Sequence, residues 1–309
     1  MRRMAFSLLT FFVLLGGTLA FVFFVYPGTV LDVVAKSARD TAGLERKAIT
    51  IGDHEVVYLD GGSGPPVVLL HGFGSNKDLW NAVAARLTPS FLVIVPDLPG
   101  FGESTKLESA NYDVNSQVRR LHDFLNKLGI HQTHIAGNSM GGMISVVYAA
   151  AYPEGVNSLM IGAAPGAGPS AQADIEELLS SGDNPLLVGD EGDFDRIMEL
   201  AFSSPPSIPG PLKREMAARA TRDQKFNAKI FDDLLSDWSI DRYLDEISVP
   251  TLIVWGADDR IVDPSAVARF SGGITSSQSV IFDDCGHALP RDCPDALVER
   301  YLVFLTAEP

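Results

Sequence analysis

The chain has 309 residues, 46% of them hydrophobic, enough to bury a full core in one large domain with an insertion. Its formal net charge of -15 argues against a nucleic-acid partner, because no basic patch is left over to meet phosphates. It equally argues against electrostatic adhesion to anionic lipid, so any membrane contact must be hydrophobic.

That contact is expected at the N-terminus. Met4 to Tyr26 carry no charge over 23 positions, and at about 1.5 Å of rise per residue a helix of that length crosses a hydrocarbon core of about 30 Å. The run is too long for the apolar region of a cleaved signal peptide, and Thr18-Leu19-Ala20 is a poor cleavage site. An uncleaved single-pass anchor is the expectation. Arg2 and Arg3 precede it, which puts the N-terminus in the cytoplasm and the domain on the exported side, the periplasmic side of the inner membrane in a bacterium. The same arginine pair suits a twin-arginine export signal, against which the long apolar run again argues. After Pro27-Gly28, the segment TVLDVVAKSARDTAGL places Val30, Val34 and Ala38 at helical spacing, joined by Leu31 and Ala35. It reads as an amphipathic juxtamembrane helix ending at Gly43, able to lie on the bilayer or to pack on a second copy.

From residue 47 strands and helices alternate. KAITI and HEVVYLD flank Gly52-Asp53 as a hairpin; PVVLLH (66–71) and FLVIVP (91–96) read as buried strands, with KDLWNAVAARL a helix between them. DVNSQVRRLHDFLNKLG (113–129) is an amphipathic helix with Val118, Leu121, Phe124, Leu125 and Leu128 on one face. HQTHIAG, a helix over 140–152 and VNSLMIG (156–162) continue the cycle. From Pro165 to about Ile247 Pro/Gly-rich breaks and short amphipathic helices replace it. It resumes with VPTLIVW (249–255), a helix near 264–270, SVIFD (279–283) and the helix DALVERYLVFL (295–305). The pattern predicts an α/β fold, a mostly parallel sheet flanked by helices. The expected division is an anchor and juxtamembrane helix over 1–46, a core over 47–164 and 248–309, and a helical cap over 165–247.

Chemistry concentrates at Gly137-Asn138-Ser139-Met140-Gly141. With 28 glycines in the chain such a motif is weak by itself; its place after a buried strand and before a helix is the context of a nucleophile elbow. A serine hydroxyl needs a base, and the base an orienting acid, here in the chain order serine, acid, histidine. Of six histidines only His287, in DDCGHALP, lies beyond an acid that follows the cap. Asp258 and Asp259 in WGADDRIVDP both qualify by location, and the third residue after the glycine, Asp259, is favoured. Asp283 and Asp284 are outsiders. The acyl-transfer oxyanion needs two backbone N–H donors, expected from Met140 and from Phe73 in His71-Gly72-Phe73-Gly74. Asp97 and Ser104 in PDLPGFGES read as loop-stabilising residues. His131 and His134 form an H-x-x-H, which suggests a metal only with a third ligand nearby; they read as residues at a strand entrance, and no metal is expected. Cys285 and Cys293, eight apart around His287, can form a small-loop disulfide or remain two buried thiols.

HGFG, DLPGFGES, GNSMGG, WGADDRIVDP and DCGHAL, in this order, resemble the α/β-hydrolase superfamily over about residues 47–306. The resemblance implies Ser139 as nucleophile, Asp259 as acid, His287 as base, and Phe73 with Met140 as oxyanion donors. The N-terminal anchor, HGFGSNKDLW and GNSMGG…VYAAAYPEGVNSL look most like membrane-anchored monoacylglycerol lipases and bacterial lipase and phospholipase A relatives. That implies hydrolysis of acyl esters of glycerolipids without a cofactor, and homodimers joined through the membrane and juxtamembrane helices. GNSMGG and WGADDR also resemble carbon–carbon bond hydrolases of aromatic ring-cleavage products, which are soluble enzymes with a different loop after the first central strand. Dehalogenases and epoxide hydrolases require aspartate at position 139. A non-catalytic membrane-bound interaction module is the remaining alternative; such proteins lose the nucleophile or the base.

Overall fold

The computed structural model describes residue 16 and residues 21–168, 184–236 and 238–307. Most of the expected span Met4–Tyr26 lies outside these residues, and among the described residues no helix is long and apolar enough to cross a membrane.

Helix α1 (Pro27–Thr41) carries the juxtamembrane pattern. Gly43 ends it at φ 66°, a left-handed conformation that glycine adopts without a steric penalty. The Leu44 N–H reaches back to the Arg39 carbonyl at 2.9 Å to close the last turn. No residue of α1 is buried, and Val33 and Val34 are exposed.

The hairpin forms as β1 (Glu45–Ile51) and β2 (His54–Gly61), with Ile51 facing His54 across Gly52-Asp53. β3 (Pro66–Leu70) follows, and then KDLWNAVAARL departs from the single helix expected. Lys77–Trp80 is a 3₁₀ turn capped by the Asn76 side chain, and only Asn81–Leu87 is α-helical (α2). β4 (Leu92–Pro96), α3 (Val114–Lys127), β5 (Thr133–Asn138), α4 (Met140–Ala151) and β6 (Val156–Gly162) complete the first half. Asp113 caps α3, its carboxylate accepting from the Ser116 N–H at 2.6 Å.

After β6 come α5 (Glu191–Ala201), α6 (Gly210–Leu235) and α7 (Asp241–Leu244), with no strand among the described residues. The expectation of short helices needs correction here, because α6 runs for 26 residues. Val188, Phe194 and Ala217 form a small hydrophobic cluster of their own, whereas Ile230 and Leu234 at the end of α6 join the main core. The chain ends with β7 (Thr251–Gly256), α8 (Ala266–Gly273), β8 (Ser277–Phe282), α9 (Leu289–Asp292) and α10 (Pro294–Thr306).

The eight strands form one sheet in the order β1-β2-β4-β3-β5-β6-β7-β8. β2 pairs antiparallel with β1 and β4, and all other pairs are parallel. Val67, Val68, Leu69 and Leu70 are fully buried although they alternate between faces, because helices cover both sides of the sheet. Burying a Val, Leu or Ile side chain contributes about 1.5–3 kcal/mol, so the central strands hold the sheet rigid beneath the loops at its edge. Strands that run parallel bring the ends of β3, β5 and β7 to one edge, where the loops bearing residues 71–76, 139 and 257–262 converge.

Candidate active site

β5 ends at Asn138 and α4 begins at Met140, so Ser139 is the single residue of the turn between them. Its backbone takes φ 59° and ψ -125°, a conformation that costs a serine on the order of 1–3 kcal/mol and persists only because its surroundings enforce it. The enforcement is visible in two glycines. A Cβ on Gly137 would stand 2.1 Å from the Gly141 carbonyl oxygen, and one on Gly141 would stand 2.3 Å from that of Leu70. The Ser139 N–H donates to the Gly162 carbonyl at 2.8 Å, and its own carbonyl accepts from Gly142 and Met143. Met140 opens α4, so its N–H has no intrahelical acceptor and the positive end of the helix dipole lies beside the serine.

His287 and Asp259 meet across 28 positions of sequence. The imidazole Nδ1 lies 2.9 Å from one Asp259 carboxylate oxygen and 3.1 Å from the other. Since a carboxylate accepts, Nδ1 bears the proton and Nε2 is left as the basic nitrogen. The Ile261 and Val262 N–H groups each donate to Asp259 Oδ1 at 2.9 Å, so the carboxylate cannot turn away. Asp258 is engaged elsewhere: its carboxylate accepts from the Ser203 hydroxyl at 2.5 Å. Asp283 and Asp284 are exposed. The His287 carbonyl accepts from the buried Asn138 amide at 3.2 Å, which fastens the histidine loop to the residue preceding Ser139.

The loop after β3 approaches the serine from the other side. A Cβ on Gly72 would lie 3.0 Å from Ser139 Cβ and 3.5 Å from its hydroxyl oxygen, so a side chain there would fill the space beside the hydroxyl. His71 is buried, and burial pushes its pKa below the ordinary imidazole value. It stays neutral, with Nδ1–H donating to the Gly72 carbonyl at 2.8 Å and Nε2 accepting from the Leu98 N–H at 3.0 Å. Phe73 packs edge-on against Phe101 and against Phe231 of α6, with ring centroids 5.7 and 5.6 Å apart.

A buried ion pair braces this loop from below. Lys77 Nζ lies 2.7 Å from Asp97 and 2.6 Å from Glu103, and the Lys77 N–H also donates to Asp97 at 2.7 Å. Removing one partner of such a pair strands a buried charge, which costs about 3–5 kcal/mol. Ser104 donates to the Asp97 carbonyl and accepts from the Val57 N–H, so Asp97 and Ser104 do tie the turn's backbone. The network continues outward to α1 through a two-pronged bond from Arg39 to Asp78.

Ser139, Met140 and Phe73 line a cavity walled by Ala164, Leu186, Phe231, Trp238 and Val262 among others. None of the described residues lining it is charged. Cys285 and Cys293 are joined as a disulfide around the histidine loop, the first of the two states left open by their spacing. His134 bonds to Ser158 at 2.7 Å, and among the described residues no group of three or more His, Cys, Asp or Glu could hold a metal. Asn138, His71 and the Ser203–Asp258 contact were not anticipated. Only His71, inside the glycine-rich loop, had a local signal.

Residues 65–290 match the family described as alpha/beta hydrolase fold. "Lipase 1" of Psychrobacter immobilis is 34% identical over 272 residues, covering 86% of each chain. "Monoacylglycerol lipase ABHD6" of Rattus norvegicus is 27% identical over 318 residues, covering 96% of this chain and 94% of the relative. Among solved structures, a membrane phospholipase A described as a bacterial virulence factor superposes with a TM-score of 0.88 at 37% identity, covering 99% of this chain and 98% of the other.

Proposed function

The chain belongs to the alpha/beta hydrolase family, and from that premise we propose that it is a membrane-anchored serine hydrolase cleaving acyl esters of lipids. It is a carboxylic-ester hydrolase: its relatives include lipases, and the solved structures similar to it include a phospholipase. In the proposed mechanism the Ser139 oxygen attacks the ester carbon while His287 Nε2 takes its proton. The oxyanion is held by the backbone N–H groups of Met140 and Phe73. His287 returns the proton to the leaving alcohol, and water then releases the fatty acid by the same steps in reverse order. Asp259 keeps the imidazole in the required tautomer and stabilises the imidazolium that forms.

The observations that carry this reading are a strained Ser139 lining an uncharged cavity and a His287 whose Nδ1 is bonded to a buried carboxylate, its loop fastened to Asn138, the residue before the serine. A cavity with this uncharged, mostly apolar lining suits an acyl chain and leaves a polar head group outside. The proposal includes a transmembrane helix over 4–26, an exported catalytic domain with residues 165–247 as its cap, and association of two copies through the N-terminal helices. The uncharged run of 23 residues and the exposed Phe21, Phe24, Val33 and Val34 support the anchor and the pairing. Tethering would let the enzyme draw ester from the bilayer without extracting it into water.

The test is turnover by the full chain in detergent of p-nitrophenyl esters, monoacylglycerols, lysophospholipids and diacyl phospholipids. Hydrolysis of at least one lipid ester is expected. Activity confined to a dienone ring-fission substrate contradicts the proposal.

A further inference from the structure

One short stretch, the last turn of α5 and the two residues after it, is gripped by both loops that carry the proposed acid and base. From the acid turn, Arg260 donates to the Glu199 carbonyl at 2.6 Å, and Asp258 accepts the Ser203 hydroxyl. From the histidine loop, the Ala288 N–H donates to the Ala201 carbonyl at 2.9 Å. Asp292 makes the central contact. Its Oδ2 accepts from the Ser203 N–H at 2.8 Å and, at the same time, from the Gly286 N–H at 2.6 Å, the residue just before His287.

The packing agrees with the hydrogen bonds. A Cβ on Gly286 would stand 2.7 Å from Ser203 N and 2.9 Å from the Ala201 carbonyl oxygen, so the two backbones are in direct contact. Gly286 is not in a positive-φ conformation, so it is this close approach that demands a glycine. The other flank of the loop is equally constrained. The Asp258 N–H donates to the Cys285 carbonyl at 2.9 Å, and the disulfide to Cys293 joins the loop to the residue after Asp292.

We propose that Asp292 is a positioning residue for the base: one carboxylate oxygen fixes both the His287 loop and residues 201–203, so that the alignment of His287 depends on the place of that stretch. A carboxylate accepting two backbone N–H bonds makes charge-assisted contacts stronger than neutral ones, and a small displacement of a catalytic group has a large kinetic effect. The inference rests on the serine-hydrolase reading above.

The experiment uses the full chain in detergent with p-nitrophenyl butyrate, comparing wild type with Asp292→Ala, Asp292→Asn, Ser203→Pro, Ser203→Ala and Ser139→Ala. Asp292→Ala is expected to lower kcat by about 10- to 100-fold with KM little changed, as for a misplaced catalytic group. Asp292→Asn keeps an acceptor oxygen and should recover most of the loss. Ser203→Pro removes the cap-side N–H donor together with the hydroxyl that Asp258 accepts, and is read against Ser203→Ala, which loses the hydroxyl alone; the extended backbone of Phe202 accepts a following proline, and Ser203→Pro is the variant that tests Asp292. It should lower kcat in the same direction as Asp292→Ala. The low-field proton resonance of His287 Nδ1–H should broaden in Asp292→Ala and persist in Asp292→Asn. If a folded Asp292→Ala keeps wild-type kcat and a sharp resonance, the proposal is overturned. If that variant does not fold, wild-type kcat in Ser203→Pro overturns it equally. A wild type without ester turnover, or a fully active Ser139→Ala, would instead bring down the underlying serine-hydrolase reading.

Discussion

Asp258 and Asp259 are adjacent in the chain and serve different partners. The Asp259 carboxylate orients the imidazole of His287, while that of Asp258 receives the Ser203 hydroxyl. In Asp259→Asn the amide oxygen would go to the Ile261 and Val262 N–H groups, leaving the NH₂ facing His287 Nδ1. That arrangement forces the wrong tautomer, and kcat on a p-nitrophenyl ester should fall by about 10⁴-fold. Asp258→Asn keeps an acceptor for Ser203, so its effect should stay below about 10-fold, the worth of one hydrogen bond. Steady-state kinetics on both variants checks the assignment; equal losses contradict it. At this scale the chemistry-bearing types were legible because Ser139, Asp259 and His287 each sit in a short motif with its own turn glycine. Asn138 and Asp292 were not. Their partners lie 149 and 89 positions away, and no local pattern signals a contact made only by folding.

Elements were legible where burial imposed a period. β3 and β4 read as apolar runs because both faces are covered, and α3 read as a helix because one face alone is. The 26 residues of α6 escaped because only Ala217, Ile230, Phe231 and Leu234 are buried, too sparse a stripe to mark its length. The juxtamembrane helix raised a question of partners that its own amphipathicity could not answer. α1 docks within its own chain, with Asp32 on Arg219 of α6 at 2.8 Å and Arg39 on Asp78 beside the Phe73 loop. Glu103 belongs to this network. Partial burial would raise its carboxyl, but hydrogen bonds from Arg46 and Lys77 bring it down to about 2. A carboxyl whose folded pKa is lowered stabilises the fold fully above its unfolded value. That contribution is lost as pH falls from about 4.5 towards 2. Thermal midpoints should therefore drop through this window, and less steeply in Glu103→Gln, although exposure of Glu103 to solvent limits the size of the difference. Identical pH profiles would remove Glu103 from the account.

At the scale of the molecule, one mostly parallel sheet brings three loops to one edge, and described residues of the segment between β6 and β7 line the same cavity as Ser139. The cavity's uncharged wall and the exposed apolar residues of the N-terminal helices suit an ester that resides in a bilayer. The fold class followed directly from the alternation of strands and helices. The cavity did not, because its walls come from residues as distant as Phe73 and Ala266, whose convergence only the folded chain reveals. The proposed chemistry centres on the Ser139 hydroxyl. The most direct measurement is covalent trapping: the full chain in detergent is incubated with an alkyl fluorophosphonate, and the adduct is mapped by mass spectrometry alongside residual ester turnover. The account predicts one phosphonyl group per chain on the Ser139 peptide, turnover lost in step with labelling, and no adduct in Ser139→Ala. Ester turnover that persists with Ser139 fully labelled, or at wild-type rate in Ser139→Ala, would contradict it.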